Sequence, residues 1–278
     1  MITAETADTP TETYAADLAL ALRIADAADM ISRERFLSHD LVVSTKPDRT
    51  PVTDADQAVE RAIRDILAAE RPADAILGEE FGSTAGQGSR QWIIDPIDGT
   101  ANYLRGVPVW ATLIALAVDG VPVVGVVSSP ALGRRWWAAL GSGAFTTDST
   151  KEAAAPRRLA VSQVSALADA SLSYNSLKGW DEAGHLDDLL ALSRKVWRTR
   201  AYGEMWSYMM VAEGLVDVAG EFDLKPYDMA ALIPVIQEAG GRFSDVTGKS
   251  GPWSGNALAT NSLLHDDVLE TLGQLPPQ

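Results

Sequence analysis

The sequence predicts a layered α/β protein with mixed, antiparallel-rich sheets. Apolar stretches of helical period and short apolar strands share the chain, but they do not alternate as a regular strand–helix–strand repeat. Asp119-Gly120 separates two apolar runs, a pattern typical of a tight hairpin, and this makes the centre of the chain antiparallel. Helical patterns on both sides of this centre supply the covering layers.

The first half of the chain begins with helices and continues with strands. Residues 1–13 are predicted to be a disordered leader, followed by an amphipathic helix from Tyr14 to Phe36 and a second helix at about residues 55–70 that Thr53 or Asp54 caps. Two prolines between the helices mark a loop or hairpin. The predicted strands are AILG before two glutamates, RQWIID ending at Asp95, the hairpin pair, and RRWWAALGSGAFTT, while GSTAGQGS is predicted to be a surface loop.

The second half of the chain mixes shorter elements. Strands are predicted at ASLSYN, VDVAGEF and NALATN, and helices at LDDLLALSRK, GEMWSYMMVAEG, YDMAALIPVIQEAGG and LLHDDVLETLGQL. Two glycines end the third of these helices. The sequence predicts a boundary near residue 150 between lobes of residues 14–150 and 151–278, the second closing a cleft over the first, and the two can also count as one domain.

Composition and charge exclude several function classes. The 278 residues are 46% hydrophobic, contain no cysteine and carry a formal net charge of −15. Disulfides, thiolate metal sites and a cysteine nucleophile are therefore excluded, and the charge opposes binding to nucleic acid or to an anionic membrane. The sequence shows neither an apolar run of membrane-spanning length nor the pattern of a signal peptide, which favours a cytoplasmic location. A bound divalent cation would invert the charge locally for an anionic substrate.

Acidic residues stand at the ends of predicted strands and at helix starts. They are Asp54, the pair Glu79-Glu80, the pair Asp95 and Asp98, and Asp228. Strand ends can present side chains into a shared cleft, and carboxylate oxygens are the ligands that Mg²⁺ prefers. In the stretch WIIDPIDGT a tight turn can aim two carboxylates at one volume, with the Ile97 carbonyl between them. Gly99 allows close backbone approach, and Thr100 opens a helix whose N–H groups favour an anion.

Each acidic feature has an ordinary alternative explanation. Asp-Pro and Asp-Gly are common turn dipeptides, Glu79-Glu80 could be a solvated loop end, and Asp54 and Asp228 are natural helix caps. The joint occurrence favours a metal site, because each acid lies beside an apolar strand or helix rather than on a polar face.

Three segments carry a family resemblance. GEEFG, WIIDPIDGTANY and PYDMAALIPVIQEAGG, in this order, resemble the inositol-monophosphatase-like, magnesium-dependent phosphatases, and the resemblance covers about residues 14–272. It implies an αβαβα layered fold, an active-site cleft between two halves, frequent homodimers, and hydrolysis of a phosphorylated small molecule by water with two or three Mg²⁺ ions. Mn²⁺ is a similar oxygen-seeking ion that could substitute.

The resemblance also assigns roles to individual residues. The implied metal ligands are three residues of the central block and one residue from each of the other two segments: Asp95, the Ile97 carbonyl and Asp98, with Glu79 and Asp228. Asp54 is matched to an aspartate that pairs with Thr100, and the two are expected to orient the attacking water. The catalytic set is therefore Glu79, Asp54, Thr100 and Asp95, and the N–H groups of Gly99 and Thr100 are matched to the phosphate cradle, with Asp98 and Asp228 beside the substrate.

The substrate pocket is predicted to be acidic and aromatic. Glu221 is matched to a glutamate that contacts substrate in the family, and Glu204 would add a second negative charge, while Arg200 is a candidate phosphate contact. Trp206 or Tyr202 could stack on a planar ring, and the alternative is that Trp206 and Met205 are core residues of an amphipathic helix. An acidic, aromatic wall suits a cationic aromatic substrate.

Four further segments narrow the resemblance. RPADAILGEEFG, RGVPVWATLIALAVDG, PALGRRWWAA and VSQVS are similar to the histidinol-phosphatases of this family, which implies L-histidinol phosphate as substrate and a place in histidine synthesis. The alternatives are inositol monophosphate, fructose bisphosphate or a 3′-phosphoadenosine nucleotide, and, from another class, a catalytically silent metal-dependent binding or regulatory protein.

Overall fold

The structure is a computed structural model that describes residues 14–45, 51–148 and 155–273. The predicted leader, residues 1–13, and the predicted boundary near residue 150 lie outside these ranges. None of the helices in the described ranges combines the length and apolar character that crossing a bilayer requires.

Two long helices and a hairpin open the described chain. Helix α1 spans Ala15–Arg35 and helix α2 spans Asp54–Glu70, close to the predicted limits. Strands β1 (Val43–Thr45) and β2 (Pro51–Thr53) pair in antiparallel fashion, which confirms the hairpin alternative. Thr53 caps α2 through a capping box in which its side chain accepts from the backbone of α2 and Asp56 accepts from the N–H of Thr53.

The larger sheet forms the centre of the first half. Its strands are β3 (Ala75–Gly78), β4 (Gly82–Thr84), β5 (Arg90–Asp98), β6 (Ala111–Val118), β7 (Val121–Ser129), β8 (Arg134–Ala139), β9 (Gly143–Asp148) and β10 (Arg157–Arg158). They are arranged in the order β10-β9-β8-β7-β6-β5-β3-β4. Only the β3–β5 pair in this described sheet is parallel, and the Asp119-Gly120 hairpin lies between β6 and β7 as predicted. Part of the predicted surface loop forms the short strand β4.

Strand β5 differs from the prediction in a way that matters for function. The strand was expected to stop at Asp95, but it continues through Pro96 to Asp98 with a shift in register between Asp95 and Asp98. The shift is a β-bulge, which lets a strand change the direction of its side chains without ending. The Thr112 hydroxyl of the neighbouring strand donates to the Pro96 carbonyl at 2.8 Å and supports the bulged backbone.

The smaller sheet belongs to the second half. Its strands are β11 (Ser171–Ser173), β12 (Arg198–Arg200), β13 (Val218–Phe222), β14 (Arg242–Ser244) and β15 (Asn256–Thr260), in the order β12-β11-β13-β15-β14. The pairs β11–β12 and β11–β13 are parallel and the other two are antiparallel. Helix α3 (Thr100–Leu104) belongs to the first half and follows directly on β5. The helices of the second half are α4 (Leu177–Glu182), α5 (Leu186–Ser193), α6 (Glu204–Ala212), α7 (Pro226–Met229), α8 (Leu232–Glu238) and α9 (His265–Thr271).

One predicted helix is divided. The segment YDMAALIPVIQEAGG was expected to form one continuous helix, but α7 ends at Met229 and α8 begins at Leu232. Pro234 has no N–H to donate to the carbonyl of Ala230, so the helical hydrogen bonding is interrupted there.

Helices and sheets stack in five layers. Helices α1 and α2 pack on the outer face of the larger sheet, α6 and α8 lie between the two sheets, and α4, α5 and α9 cover the smaller sheet. The largest apolar cluster fills the middle layer and includes Leu113, Trp136, Met209, Ile236 and Phe243. The predicted αβαβα arrangement is confirmed.

Candidate active site

Two parallel strands bring the first acidic pair together. Glu79 follows β3 and its N–H donates to the Ile94 carbonyl of β5 at 3.2 Å, which places Glu79 next to Asp95. The loop after Glu79 is fixed by Glu60, a buried residue of α2 that accepts from the N–H groups of Glu80 at 2.7 Å and Phe81 at 3.2 Å. A Cβ at position 78 would lie 2.0 Å from a carboxylate oxygen of Glu60, so a larger residue there would displace the side chain that fixes this loop.

The bulge and a short helix bring in the other acids. Asp95 and Asp98 lie at the two ends of the bulge in β5, and α7, which carries Asp228, packs against this strand. The Asp228 carboxylate accepts from the N–H of Lys225 at 2.7 Å. Asp228 is therefore a capping residue, as the ordinary alternative proposed, and also one of the acids that face the cleft.

A cavity of about 780 Å³ opens over these residues. It is lined by Glu79, Asp95, Ile97, Asp98, Gly99, Thr100, Glu204, Glu221 and Asp228, which are predicted site residues from both halves of the chain. Further lining residues come from α4 and from the loop around Ser254. The structure thus brings the predicted site acids other than Asp54 into one pocket.

Burial and mutual repulsion change the acidity of these groups. Burial raises the pKa of Asp95 well above the usual value of an aspartate, and the charges of Glu79, Asp98 and Asp228 raise it further. The pKa of Asp98 is also raised, by burial first and then by Glu204 and Asp228, while the N–H of Met205 partly opposes the shift. Burial raises the pKa of Asp228 to about 6, against the N–H of Lys225. The cluster is therefore short of positive charge.

The donor set fits a hard divalent cation. The Asp95 carboxyl lies within hydrogen-bonding reach of Glu79 and Asp228, yet its Oδ1 atom is buried without a protein partner among the described residues. A buried carboxylate oxygen of this kind suits a metal ion, and every side-chain donor in the cluster is an oxygen atom. Among the described residues no group of three or more histidine, aspartate or glutamate side chains is arranged closely enough to hold a metal ion. The match between this cluster and a divalent cation therefore rests on donor type, burial and charge.

The predicted partner of Thr100 is wrong. The hydroxyl of Thr100 lies 3.1 Å from Oδ1 of Asp56, and 3.1 Å from the Ile97 carbonyl. Asp54 instead pairs with Arg35 at 2.7 Å and faces away from the pocket. In the first turn of α2 these two aspartates point in different directions, and the buried one, Asp56, is the residue that the capping box directs toward Thr100. The T-x-x-D pattern of residues 53–56 was the available signal.

A second group of polar residues lines the pocket beside this acidic cluster. Glu204 begins α6 with a left-handed backbone, φ 50°, and its carboxylate accepts from the Asn102 amide at 3.1 Å. Glu221, on β13, accepts from the Asn175 amide at 2.6 Å. Burial raises the pKa of Glu204, and burial together with the charges of Glu204 and Asp228 raises the pKa of Glu221 to about 8 against the Asn175 contact.

Three predicted pocket residues lie elsewhere. Arg200 is exposed on the edge strand β12, where its guanidinium donates to the Thr199 carbonyl at 2.7 Å, and it does not line the pocket. Tyr202 and Trp206 pack on each other with ring centroids 6.0 Å apart and against the middle core. Both rings are half-buried, and neither lines the pocket, where a stacked substrate ring would have to lie.

Several residues of the site were not predicted from the sequence. Asp56, Glu60, Asn102 and Asn175 support the pocket acids through the hydrogen bonds given above. Tyr208, one turn after Glu204, lines the pocket, and its buried hydroxyl has no partner among the described residues. Single asparagines and a helical tyrosine carry no motif, so only the folded arrangement reveals them.

Comparison with known proteins agrees with the family resemblance seen in the sequence. The model of the family described as the inositol monophosphatase family matches residues 11–276. The chain is 58% identical over 265 residues to a histidinol-phosphatase of Streptomyces coelicolor, covering 94% of this chain and 98% of the relative. It is 56% identical over 256 residues to a histidinol-phosphatase of Mycobacterium tuberculosis, covering 92% and 97%.

Solved structures agree with the sequence comparison. The crystal structure of the extragenic suppressor protein suhB from Bartonella henselae superposes with a TM-score of 0.84 at 29% identity, covering 93% of this chain and 98% of that one. An inositol monophosphatase from Zymomonas mobilis gives a TM-score of 0.82 at 31% identity, covering 94% and 99%.

Proposed function

The chain belongs to the inositol monophosphatase family, and from this premise we propose that it is a magnesium-dependent phosphomonoester hydrolase acting on L-histidinol phosphate. The products are L-histidinol and inorganic phosphate. The names of the two relatives that are more than half identical to the chain support this substrate, and the pocket gives a physical reason for it.

The main structural support for the proposal is the negative charge of the pocket. Eight acidic residues line it: Glu79, Asp95, Asp98, Glu182, Glu204, Glu221, Asp223 and Asp228. Lys178 is the only cation among the described lining residues, and it is paired with Glu182. A phosphate ester alone would be repelled from such a wall, whereas a phosphate ester bound together with metal ions, and carrying an amine and an imidazole, complements it.

The metal end of the pocket follows from the oxygen donors. Glu79, Asp95, Asp98, Asp228 and the Ile97 carbonyl would hold two or three Mg²⁺ ions, and Mn²⁺ satisfies the same donors. When bound, Mg²⁺ supplies positive charge that neutralises the phosphate and activates water for attack. The N–H groups of Gly99 and Thr100 would donate to the phosphate, since both residues line the cavity where Gly99, with a left-handed φ of 86°, begins α3.

Two side chains would position the attacking water. The Thr100 hydroxyl lies between Asp56 and the cavity, and Asp56 is held by the N–H of Thr53 at 2.8 Å. Burial raises the pKa of Asp56, while its contacts with Thr53 and Thr100 oppose that shift. Asp56 would accept a hydrogen bond from the Thr100 hydroxyl, which leaves a lone pair of the hydroxyl oxygen free to accept a hydrogen bond from water.

The substrate end would be formed by Glu204 and Glu221. Both carboxylates line the same pocket as the metal-ligand acids, and they would bind the ammonium and imidazole groups of the substrate. A homodimer, a cytoplasmic location and a part in histidine synthesis complete the proposal and rest on the resemblance of the chain to its relatives.

Phosphate release from a small panel of esters tests the function. We expect hydrolysis of L-histidinol phosphate to exceed that of inositol 1-phosphate, fructose 1,6-bisphosphate and 3′-phosphoadenosine 5′-phosphate in kcat/KM, and to disappear with EDTA and return with Mg²⁺. Faster hydrolysis of inositol 1-phosphate would overturn the substrate. Magnesium binding without hydrolysis of any ester would indicate a silent binding protein instead.

A further inference from the structure

The amide of Asn175 joins the two carboxylate-bearing elements of the substrate wall. Asn175 follows β11, and its Nδ2 donates to Glu221 on β13 at 2.6 Å and to the backbone carbonyl of Glu204, at the start of α6, at 3.3 Å. One side chain therefore ties three separate elements together at the place where the proposed substrate would present its positive charge.

Two buried serines determine which way this amide points. Ser207 donates to the Oδ1 atom of Asn175, and Ser173 donates to the same atom at 3.3 Å. The two hydroxyls lie 2.7 Å apart, and both serines are fully buried. Because the oxygen end of the amide is occupied by hydroxyl donors, the nitrogen end must face Glu221 and Glu204.

The contact also favours a charged carboxylate at position 221. Glu221 lies among other acids in a buried setting that opposes ionisation, and an N–H donor at 2.6 Å stabilises the charged form. A neutral glutamic acid would bind an ammonium group far less well than a carboxylate.

We propose that Asn175 is a positioning residue that holds Glu221 and the Glu204 backbone in place as the ammonium-binding wall of the pocket, so that it contributes to selectivity for a cationic phosphate ester. This inference rests on the proposed function. Asn175 does not itself line the cavity and acts through Glu221.

The backbone of Asn175 allows a clean substitution. Its φ is 48°, in the left-handed region that asparagine and glycine tolerate best. Asn175→Gly therefore removes the amide without straining the chain, whereas alanine would add backbone strain. Ser262→Gly is a matched control, since Ser262 has φ 75° and is exposed outside the pocket.

The test compares two substrates in steady-state kinetics. Asn175→Gly is expected to raise KM for L-histidinol phosphate about tenfold, with kcat changed by less than about threefold, because a hydrogen bond to a charged group is lost. Hydrolysis of glycerol 2-phosphate, which has no amine, should change by less than about twofold, as should both activities of Ser262→Gly.

A double-mutant cycle separates positioning from a general structural role. In a Glu221→Gln background, Asn175→Gly should change kcat/KM for L-histidinol phosphate by less than about twofold. Equal losses with both substrates, or full additivity in the cycle, would overturn the inference. These outcomes differ from failure of the proposed function, in which the unmodified enzyme itself would show no preference for L-histidinol phosphate.

Discussion

Asp95 occupies a position that is unfavourable for a carboxylate unless a cation is near. It is 2% exposed, and three acidic neighbours raise its pKa in addition to burial. The bulge in β5 holds Asp95 in this position despite electrostatic repulsion from its acidic neighbours. Functional sites often contain such arrangements, because a bound ligand relieves the repulsion.

Asp95→Asn separates stability from activity. The neutral amide should leave the melting temperature of the metal-free protein unchanged or higher, since a buried charge among like charges is removed. Phosphate release should fall by at least about a thousandfold, because several kcal/mol of transition-state stabilisation depend on the metal site. Thermal unfolding in EDTA and phosphate release in Mg²⁺ measure the two effects, and a variant that keeps its activity would contradict the role of Asp95.

The neighbouring aspartates of α2 provide a matched pair. Asp56→Asn should lower kcat about a hundredfold, because Asp56 orients the Thr100 hydroxyl. Asp54→Asn should change kcat by less than about twofold, since Asp54 pairs with Arg35 at the surface and such pairs contribute little. Circular dichroism would verify that both variants fold, and equal kinetic effects would show that the Thr100–Asp56 contact is not part of the mechanism.

At the scale of elements, the bulge in β5 decides where the acids point. A regular strand would place Asp95 and Asp98 on opposite faces of the sheet, because side chains alternate. The irregularity between them lets both face one cavity, and the hydrogen bond from Thr112 to the Pro96 carbonyl supports it.

Thr112→Val tests this support. The substitution keeps the side-chain volume but leaves a buried carbonyl without its side-chain donor, so we expect a loss of about 1–3 kcal/mol in the free energy of unfolding. Urea unfolding would measure it, and a rise in the Mg²⁺ concentration needed for half-maximal activity should accompany it. Thr112→Ser retains the hydroxyl and should keep the Mg²⁺ response of the parent. A valine variant with an unchanged Mg²⁺ response would show that the bulge does not depend on this contact.

Local signals in the sequence predicted much of this architecture. Asp119-Gly120 fixes a hairpin because its backbone geometry suits a tight turn, and the apolar periods of α1 and α2 fix those helices. The end of β5 and the break between α7 and α8 were missed, since a bulge is stabilised by the neighbouring strand and a helix break by the position of one proline. The acids of the site were found by motif, whereas Asn175 and Asp56 act through partners that are distant in the sequence.

At the scale of the whole molecule, the layers bring the halves of the chain together around the pocket. The middle core contains residues of both sheets, including Leu113 of β6 and Ala259 of β15, so the two walls of the cavity rest on one packed cluster. The positions of Glu79 and Glu221 relative to each other thus depend on the packing of α6 and α8 between the sheets. Protonation or ionisation of the pocket carboxylates should therefore change the free energy of unfolding of the whole protein.

Protonation of the pocket should stabilise the metal-free protein. Burial raises the pKa of Glu221 from 4.5 to about 8 and the pKa of Asp228 from 3.8 to about 6. Between each pair of values the folded protein binds more protons, so the free energy of unfolding falls as pH rises. His265 acts in the opposite direction at lower pH: burial lowers its pKa from 6.5 to about 4, so the unfolded protein binds more protons and stability falls as pH decreases through that interval.

The melting temperature in EDTA should therefore decrease from pH 6.5 to pH 8.5, a range in which Glu221 loses its proton and His265 is already neutral. Adding Mg²⁺ should raise the melting temperature most at the alkaline end, because the cation binds the ionised carboxylates and stabilises the folded state by mass action. Glu221→Gln should flatten the decrease in EDTA, since its side chain cannot titrate. Differential scanning fluorimetry across this range would measure all three effects. A melting temperature that rises with pH in EDTA would show that the pocket carboxylates do not control stability in this range.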